Sequence, residues 1–330
     1  MKKISYLFIF LITICFISCN KTDSPTTQTT KQESTAPNLS MPDFNADSAF
    51  AFVKAQTDFG PRVPGSDAHK NCANWLASKL NAYCDSVILQ SFTAKTYDNK
   101  QWNAVNIIGE IAPEKEQRII LAAHWDSRPF ADHDPNPNNY NTPIDGANDG
   151  ASGVGVLLEI ARQLHIERPE VGIDIIFFDL EDYGTPKSEN IPGDWWCLGA
   201  QYWAKNPHKT NYTAEFGILL DMVGAPDAIF RHEAFSYNYA QPYLAKIWGT
   251  AYQLGYQNYF RNESANPITD DHLYVNTIAH IPMVNIIHQE PNSITGFTST
   301  WHTLEDNINH ISSPTLKAVG TTVLSVIKNH

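Results

Sequence analysis

The chain has 330 residues, 42% hydrophobic and 18% charged, which supplies a full-sized core and excludes disorder as its main state. Twenty-three lysines and arginines against 35 aspartates and glutamates leave a net charge of −12, so the surface field repels phosphate backbones and no nucleic-acid partner is expected. Five cysteines without CxxC or zinc-ribbon spacing rule out a disulfide scaffold and leave any metal to histidines and carboxylates.

Lys2 and Lys3 precede an apolar run over residues 4–17, the order of an export signal, and the run is short for spanning a bilayer. Its end, Phe16-Ile17-Ser18-Cys19, resembles the bacterial lipoprotein cleavage box. That resemblance implies a signal peptide over residues 1–18, a lipid anchor on Cys19, and an exported protein held to a bacterial membrane and facing the periplasm or cell surface. An ordinary secretory signal containing Cys19 is the plainer alternative. Residues 20–40 hold one aliphatic side chain larger than alanine, Leu39, and read as a disordered tether that cannot offset its ordering entropy by burial. Residues 41–330 are read as the folded domain.

In that domain the spacing predicts helices over residues 47–56 and 67–83, the second with Ser66 as N-cap and with Trp75, Leu76 and Leu80 on one face. Cys72 and Cys84 are close enough in sequence to be bridged in an exported protein, and equally suited to remain free thiols. Short apolar, β-branched runs beginning at Val105, Ile119, Ile173, Ile218 and Met283 fit strands covered on both faces. Helical patterns over residues 153–164, 198–205, 239–252 and 313–328 lie between and after them. This alternation predicts a single α/β domain with a mostly parallel, mixed central sheet flanked by helices.

Ligand crevices of open α/β sheets lie beyond the carboxyl ends of the strands. Three predicted strands end there in polar residues: His124-Trp-Asp126, Asp179-Leu-Glu181-Asp182, and Asp221. Asp149 stands in a turn-rich stretch, Asp145 to Gly153, that runs into a helix; taken alone it reads as a helix N-cap. Adjacent Glu181 and Asp182 repel unless a cation or a shared proton relieves them, although a solvated loop would do the same. His302 is one of 12 histidines. Taken together, His124, Asp126, Asp149, Glu181, Asp182, Asp221 and His302 form an imidazole and carboxylate set suited to Zn²⁺.

The ordered series His124-Trp-Asp126-Ser, Gly146-Ala-Asn-Asp149-Gly-Ala-Ser-Gly, Phe177-Phe-Asp-Leu-Glu181-Asp182, Leu220-Asp221-Met-Val-Gly-Ala-Pro and Trp301-His302-Thr resembles the M28 zinc aminopeptidase superfamily. Within it the chain is most similar to the animal-type (type II) glutaminyl-peptide cyclotransferases, through Gly60-Pro-Arg-Val-Pro-Gly-Ser66, Asp221-Met-Val-Gly-Ala-Pro and Asp270-Asp271-His272. The resemblance runs from about Phe50 to the C-terminus and implies a zinc aminopeptidase-like fold. It also implies one Zn²⁺ on Asp149, Asp182 and His302, with Glu181 as acid/base and Asp221 and Asp271 as supporting acids hydrogen-bonded to it. Phe297, Trp301 and Trp196 would be the apolar walls of the substrate pocket. Asp182 stands where relatives commonly carry Glu, so either the backbone brings the shorter side chain closer or the metal geometry changes.

The implied reaction cyclises the N-terminal Gln of a peptide or protein to pyroglutamate with release of ammonia. A two-zinc M28-type aminopeptidase is the chief alternative, with His124 and Asp221 holding a second ion, Asp149 bridging and Glu181 activating water. A metal-free binding module on the same fold is a third reading; the retained ligands argue against it. Other signatures fail: Gly153-Val-Gly155 lacks a third glycine, His232-Glu233 lacks the second His of HExxH, and Ser152 misses the nucleophile-elbow spacing. The loops over residues 132–140 and 185–195 are candidates either to cover the site or to be inert insertions.

Overall fold

The computed structural model describes residues 41–189 and 191–330. The proposed signal, Cys19 and tether lie outside the described residues. Helix α1 (Ala46–Thr57) is capped by the Asn45 side chain, which accepts from the Ser48 N–H, and α2 (Asp67–Tyr83) by Ser66, which accepts from the His69 N–H. Then come β1 (Ser86–Lys95), β2 (Gln101–Ile111), β3 (Arg118–His124), α3 (Ala151–Ile166), β4 (Gly172–Phe178), α4 (Leu198–Lys205) and β5 (Phe216–Asp221). The chain closes with β6 (Phe230–His232), α5 (Ala234–Gln253), β7 (Phe260–Ser264), α6 (Asp271–Tyr274), β8 (Met283–Ile287) and α7 (Ser313–Lys328).

The six-stranded sheet has the order β1-β2-β4-β3-β5-β8. Strands β4, β3, β5 and β8 are parallel, whereas β1 and β2 pair antiparallel with each other and β2 antiparallel with β4. The sheet is therefore mixed, with its parallel half at the side that carries the strand-end acids. Alternation along the strands divides the core: Ile119, Leu121 and Ala123 join Phe216, Ile218 and Leu220 on one face, under α1, α2, α3, α5 and α7. Ile120, Ala122 and Leu219 face the other way, onto Ala200 and Trp203 of α4 and onto Tyr274. Strands β3, β4, β5 and β8 are buried along their whole length, which is why they read as continuous apolar runs.

Helix α3 lies tight on the sheet. A β-carbon at Gly153 would stand 2.2 Å from the Leu220 carbonyl oxygen, so only glycine allows this approach. The described residues belong to one compact unit, and none of their helices is long and apolar enough to cross a membrane. Cys72 and Cys84 are free thiols, which settles the open pairing.

Candidate metal centre

The carboxyl ends of the parallel strands deliver the site. β3 ends at His124 and β5 at Asp221, and β4 ends three residues before Glu181. Asp149 precedes α3, whose N-cap Gly150 has φ 95° and no side-chain capping bond, so Asp149 does not cap the helix. Its carboxylate is free for the crevice. His124 Nε2 lies 3.0 Å from Asp149 Oδ1 and 3.2 Å from Asp221 Oδ1. His302 Nε2 lies 3.1 Å from Asp182 Oδ1 and 3.5 Å from Asp149 Oδ2.

Two triads therefore share Asp149. In Asp149, Asp182 and His302, and again in His124, Asp149 and Asp221, one donor atom per residue lies within 4.8 Å of the others, and all five residues are buried. The Asp182 Oδ2 atom is buried without a hydrogen-bond partner. Buried carboxylates in this number, with imidazole nitrogens aimed at them and a carboxylate oxygen left unpaired, fit a divalent cation with oxygen and nitrogen ligands such as Zn²⁺.

A further layer of acids holds the ligands. Asp126 accepts the consecutive N–H groups of Glu181 and Asp182, each at 3.1 Å, and Asp306 accepts those of Asn148 at 2.7 Å and Asp149 at 3.0 Å. Asp132 Oδ1 is 3.4 Å from His302 Nδ1 and Asp126 Oδ1 is 3.5 Å from His124 Nδ1, so each ring has a carboxylate behind the nitrogen that faces away from the triads. Arg128 pairs with both oxygens of Asp132, donates to the Asp182 carbonyl at 2.9 Å, and lies 4.6 Å over the Trp196 ring. Asp126 and Arg128 thus fasten the backbone on both sides of Asp182, which is how the shorter side chain reaches the triad. Buried Arg62, from the Gly-Pro-Arg-Val-Pro segment, donates to the carbonyls of Trp125, Asp145 and Gly146 and ties the two ligand loops together.

The backbone is strained where it turns into the site. Leu180, Cys197, Met222 and His302 all have φ between 48° and 55°, the left-handed region that non-glycine residues rarely occupy. His302 is held there by its own carbonyl, which accepts from the His133 N–H at 3.1 Å, and by Trp301, whose ring stacks at 3.7 Å. The loop over residues 132–140 is therefore a brace for His302.

Burial pushes Asp149 up to about 6, helped by the Asp182 and Asp221 charges against the pull of His124. Burial likewise holds Glu181 well above the usual carboxylate range, with His124 opposing and Asp182, Asp270 and Asp271 reinforcing. Asp182 goes the other way: burial would raise it, but His302 and Arg128 outweigh that and draw it down.

A cavity of about 930 Å³ opens onto the triads, lined among others by Glu181, Asp221, Asp270, Trp196, Phe297 and Trp301. Phe297 and Trp301 pack 4.8 Å apart, and Trp196 stands parallel to His302 at 6.2 Å. Gly193 and Asp194 also line it, so the loop over residues 185–195 forms part of the wall. Of the two adjacent acids, the structure brings Asp270 to the cavity. Asp271, expected beside Glu181, is buried behind the lining with neither carboxylate oxygen hydrogen-bonded. Asp270 and Cys197 each place an atom within 4.8 Å of a Glu181 carboxylate oxygen.

Residues 106–327 match the model of Peptidase family M28. A glutaminyl-peptide cyclotransferase of Gloydius blomhoffii is 28% identical over 300 residues, covering 79% of this chain and 76% of its own. Among solved structures, a Zn-dependent exopeptidase from Parabacteroides distasonis is 53% identical with a TM-score of 0.87, covering 88% of this chain and 100% of its own. A glutaminyl cyclase from Tannerella forsythia is 51% identical with a TM-score of 0.86 and the same coverage. Strand-end acids, paired imidazoles and a family match across most of the chain lead to one assignment: the chain belongs to Peptidase family M28.

Proposed function

We infer that the chain is a glutaminyl-peptide cyclotransferase, zinc-dependent, acting on peptides or proteins with N-terminal Gln. The similarity to glutaminyl-peptide cyclotransferases and bacterial glutaminyl cyclases supports the activity. The observation that carries the residue assignment is the meeting of Asp149, Asp182 and His302 beside Glu181 in one aromatic-walled cavity. One zinc on that triad supplies, when bound, a Lewis acid for the γ-carboxamide oxygen. Glu181 takes a proton from the α-amine as its nitrogen bonds to the γ-carboxamide carbon, and returns it to the amide nitrogen, which leaves as ammonia. The ring closes without consuming water. Trp196, Phe297 and Trp301 fold the side chain back on the amine and exclude solvent. Asp270 and Asp221 are the supporting acids, Asp270 taking the part that the sequence resemblance gave to Asp271. Asn285 holds Asp270 by a side-chain bond of 2.6 Å.

The triad of His124, Asp149 and Asp221 favours a second reading, a two-zinc aminopeptidase in which Glu181 activates water. A Gln-initiated peptide separates the two. We expect mass spectrometry to find the peptide lighter by ammonia and otherwise whole; release of a free amino acid would establish the peptidase instead. The signal over residues 1–18 and the lipidation box at Cys19 support export and a lipid anchor, with the enzyme facing the periplasm or cell surface.

A further inference from the structure

Resting on the cyclase reading, which gives Glu181 the proton transfers, we propose that Cys197 is a positioning residue whose thiol aims the Glu181 carboxylate. Cys197 Sγ donates to Glu181 Oε1 at 3.1 Å, and among the described residues this is the one hydrogen bond that the carboxylate makes. Glu181 lines the cavity and Cys197, fully buried, stands behind it, so the thiol acts through Glu181 and does not touch substrate.

The backbone fixes this pairing in register. The N–H groups of Cys197, Leu198 and Gly199 donate in succession to the carbonyls of Glu181, Leu180 and Asp179, at 3.0, 2.9 and 2.9 Å. This short ladder fastens the first turn of α4 to the loop that follows β4, and it satisfies N–H groups that a helix start leaves open. Both partners turn sharply where they meet: Cys197 and Leu180 each have φ 55°. Residues held in that region persist only where their surroundings over-determine them, and they gather at sites of function. The same segment carries Trp196, a wall of the cavity, so one set of bonds sets both the wall and the base. Burial, reinforced by Glu181, Asp271 and Asp270, holds the thiol protonated and therefore a donor. A carboxylate with several rotatable bonds loses aim when an anchoring hydrogen bond is removed, and orientation of a proton-transfer group acts on the chemical step more than on binding.

The test is steady-state ammonia release from a Gln-initiated peptide by wild type, Cys197→Ala, Cys197→Ser, Glu181→Gln and the double variant Cys197→Ala with Glu181→Gln, with zinc measured on each. We expect Cys197→Ala to lower kcat about tenfold, the loss of one hydrogen bond to a charged group, with KM and zinc content kept within about twofold. Cys197→Ser, similar in size and still a donor, restores kcat to within about threefold of wild type. In the Glu181→Gln background, Cys197→Ala costs less than about twofold, because the group it aims is gone. An unchanged kcat in Cys197→Ala, a serine variant no better than alanine, a loss shared with KM or zinc, or the same tenfold loss in the Glu181→Gln background would each overturn the role. Wild type that releases no ammonia overturns the cyclase reading itself, and the positioning role with it.

Discussion

Two ends of the same sheet hold a histidine and two carboxylates at metal-ligand spacing, and they differ in how their charge is balanced. At the far end from the active site, Glu110, Asp174 and His208 place one donor atom each within 4.8 Å of the others, as Asp149, Asp182 and His302 do. There the negative charge is already balanced. Arg118 grips both oxygens of Asp174 at 2.6 and 2.5 Å, Lys209 pairs with Glu110, and Tyr212 donates to Asp174. The Trp203 indole N–H donates to His208 Nδ1 at 3.2 Å, which forces the proton of neutral His208 onto Nε2, the nitrogen that faces the carboxylates. A protonated nitrogen cannot be a ligand. At the active-site end, Asp149, Asp182, Glu181, Asp221 and Asp270 crowd together with two imidazoles, Arg128 is engaged with Asp132, and an oxygen of Asp182 stays unpaired. Ligand spacing is common to both ends; surplus negative charge belongs to one.

The largest effect expected from breaking this contrast is at the base. Glu181→Gln should reduce kcat for ammonia release by roughly a thousandfold while leaving zinc in place. Activity near wild type would remove Glu181 from the proton transfers. At the level of the ion, His302→Ala should purify without stoichiometric zinc by elemental analysis and His208→Ala should retain it; the reverse pattern would put the metal at the wrong end. Arg118→Ala strips the balanced end of its compensating charge and should cost about 3–5 kcal/mol of stability in urea unfolding, since it leaves the buried Asp174 carboxylate without its counter-ion. Zinc content should not change.

A smaller effect belongs to Glu233. It caps α5 through the N–H groups of Phe235 and Ser236, accepts from the Ile268 N–H at 3.0 Å, and stands 3.0 Å from His272 Nε2. Burial opposes its charge, but His272 and these N–H donors draw its pKa from 4.5 down to about 2. A depressed acid contributes stability that is present above its unfolded pKa and is lost as the pH falls through the folded one. That contribution, about 3 kcal/mol, should fade between pH 4.5 and 2. Glu233→Gln should flatten the acid limb of the stability curve; an unaltered limb would mean that other carboxylates govern acid unfolding.

The residues that meet at the candidate site were legible in the sequence because each parallel strand is buried on both faces and ends where its polar residues begin. That pattern placed His124, Glu181, Asp182 and Asp221 on one edge, and α2, α4 and α7 were readable to the residue from their periodicity, α2 also from its Ser66 cap. Strand β1 was not, because it is an edge strand in which Phe92 alone is buried, so no continuous apolar run marks it. Also hidden were the braces: Asp306 holds the Asp149 backbone across 157 positions, and Arg128 reaches the Asp182 carbonyl across 54. Such bonds to backbone leave no motif. The choice between Asp270 and Asp271 rests on a single helical step at the start of α6, where Asp270 faces the cavity and Asp271 turns inward.

The claim underlying the account is that residues distant in the chain meet to hold one ion at the active-site end of the sheet. X-ray diffraction from the purified protein, recorded on both sides of the zinc absorption edge, measures it directly. The account predicts an anomalous peak among Asp149, Asp182 and His302, and none among Glu110, Asp174 and His208. A peak at the far end, or none within reach of those three ligands in active enzyme, would contradict it.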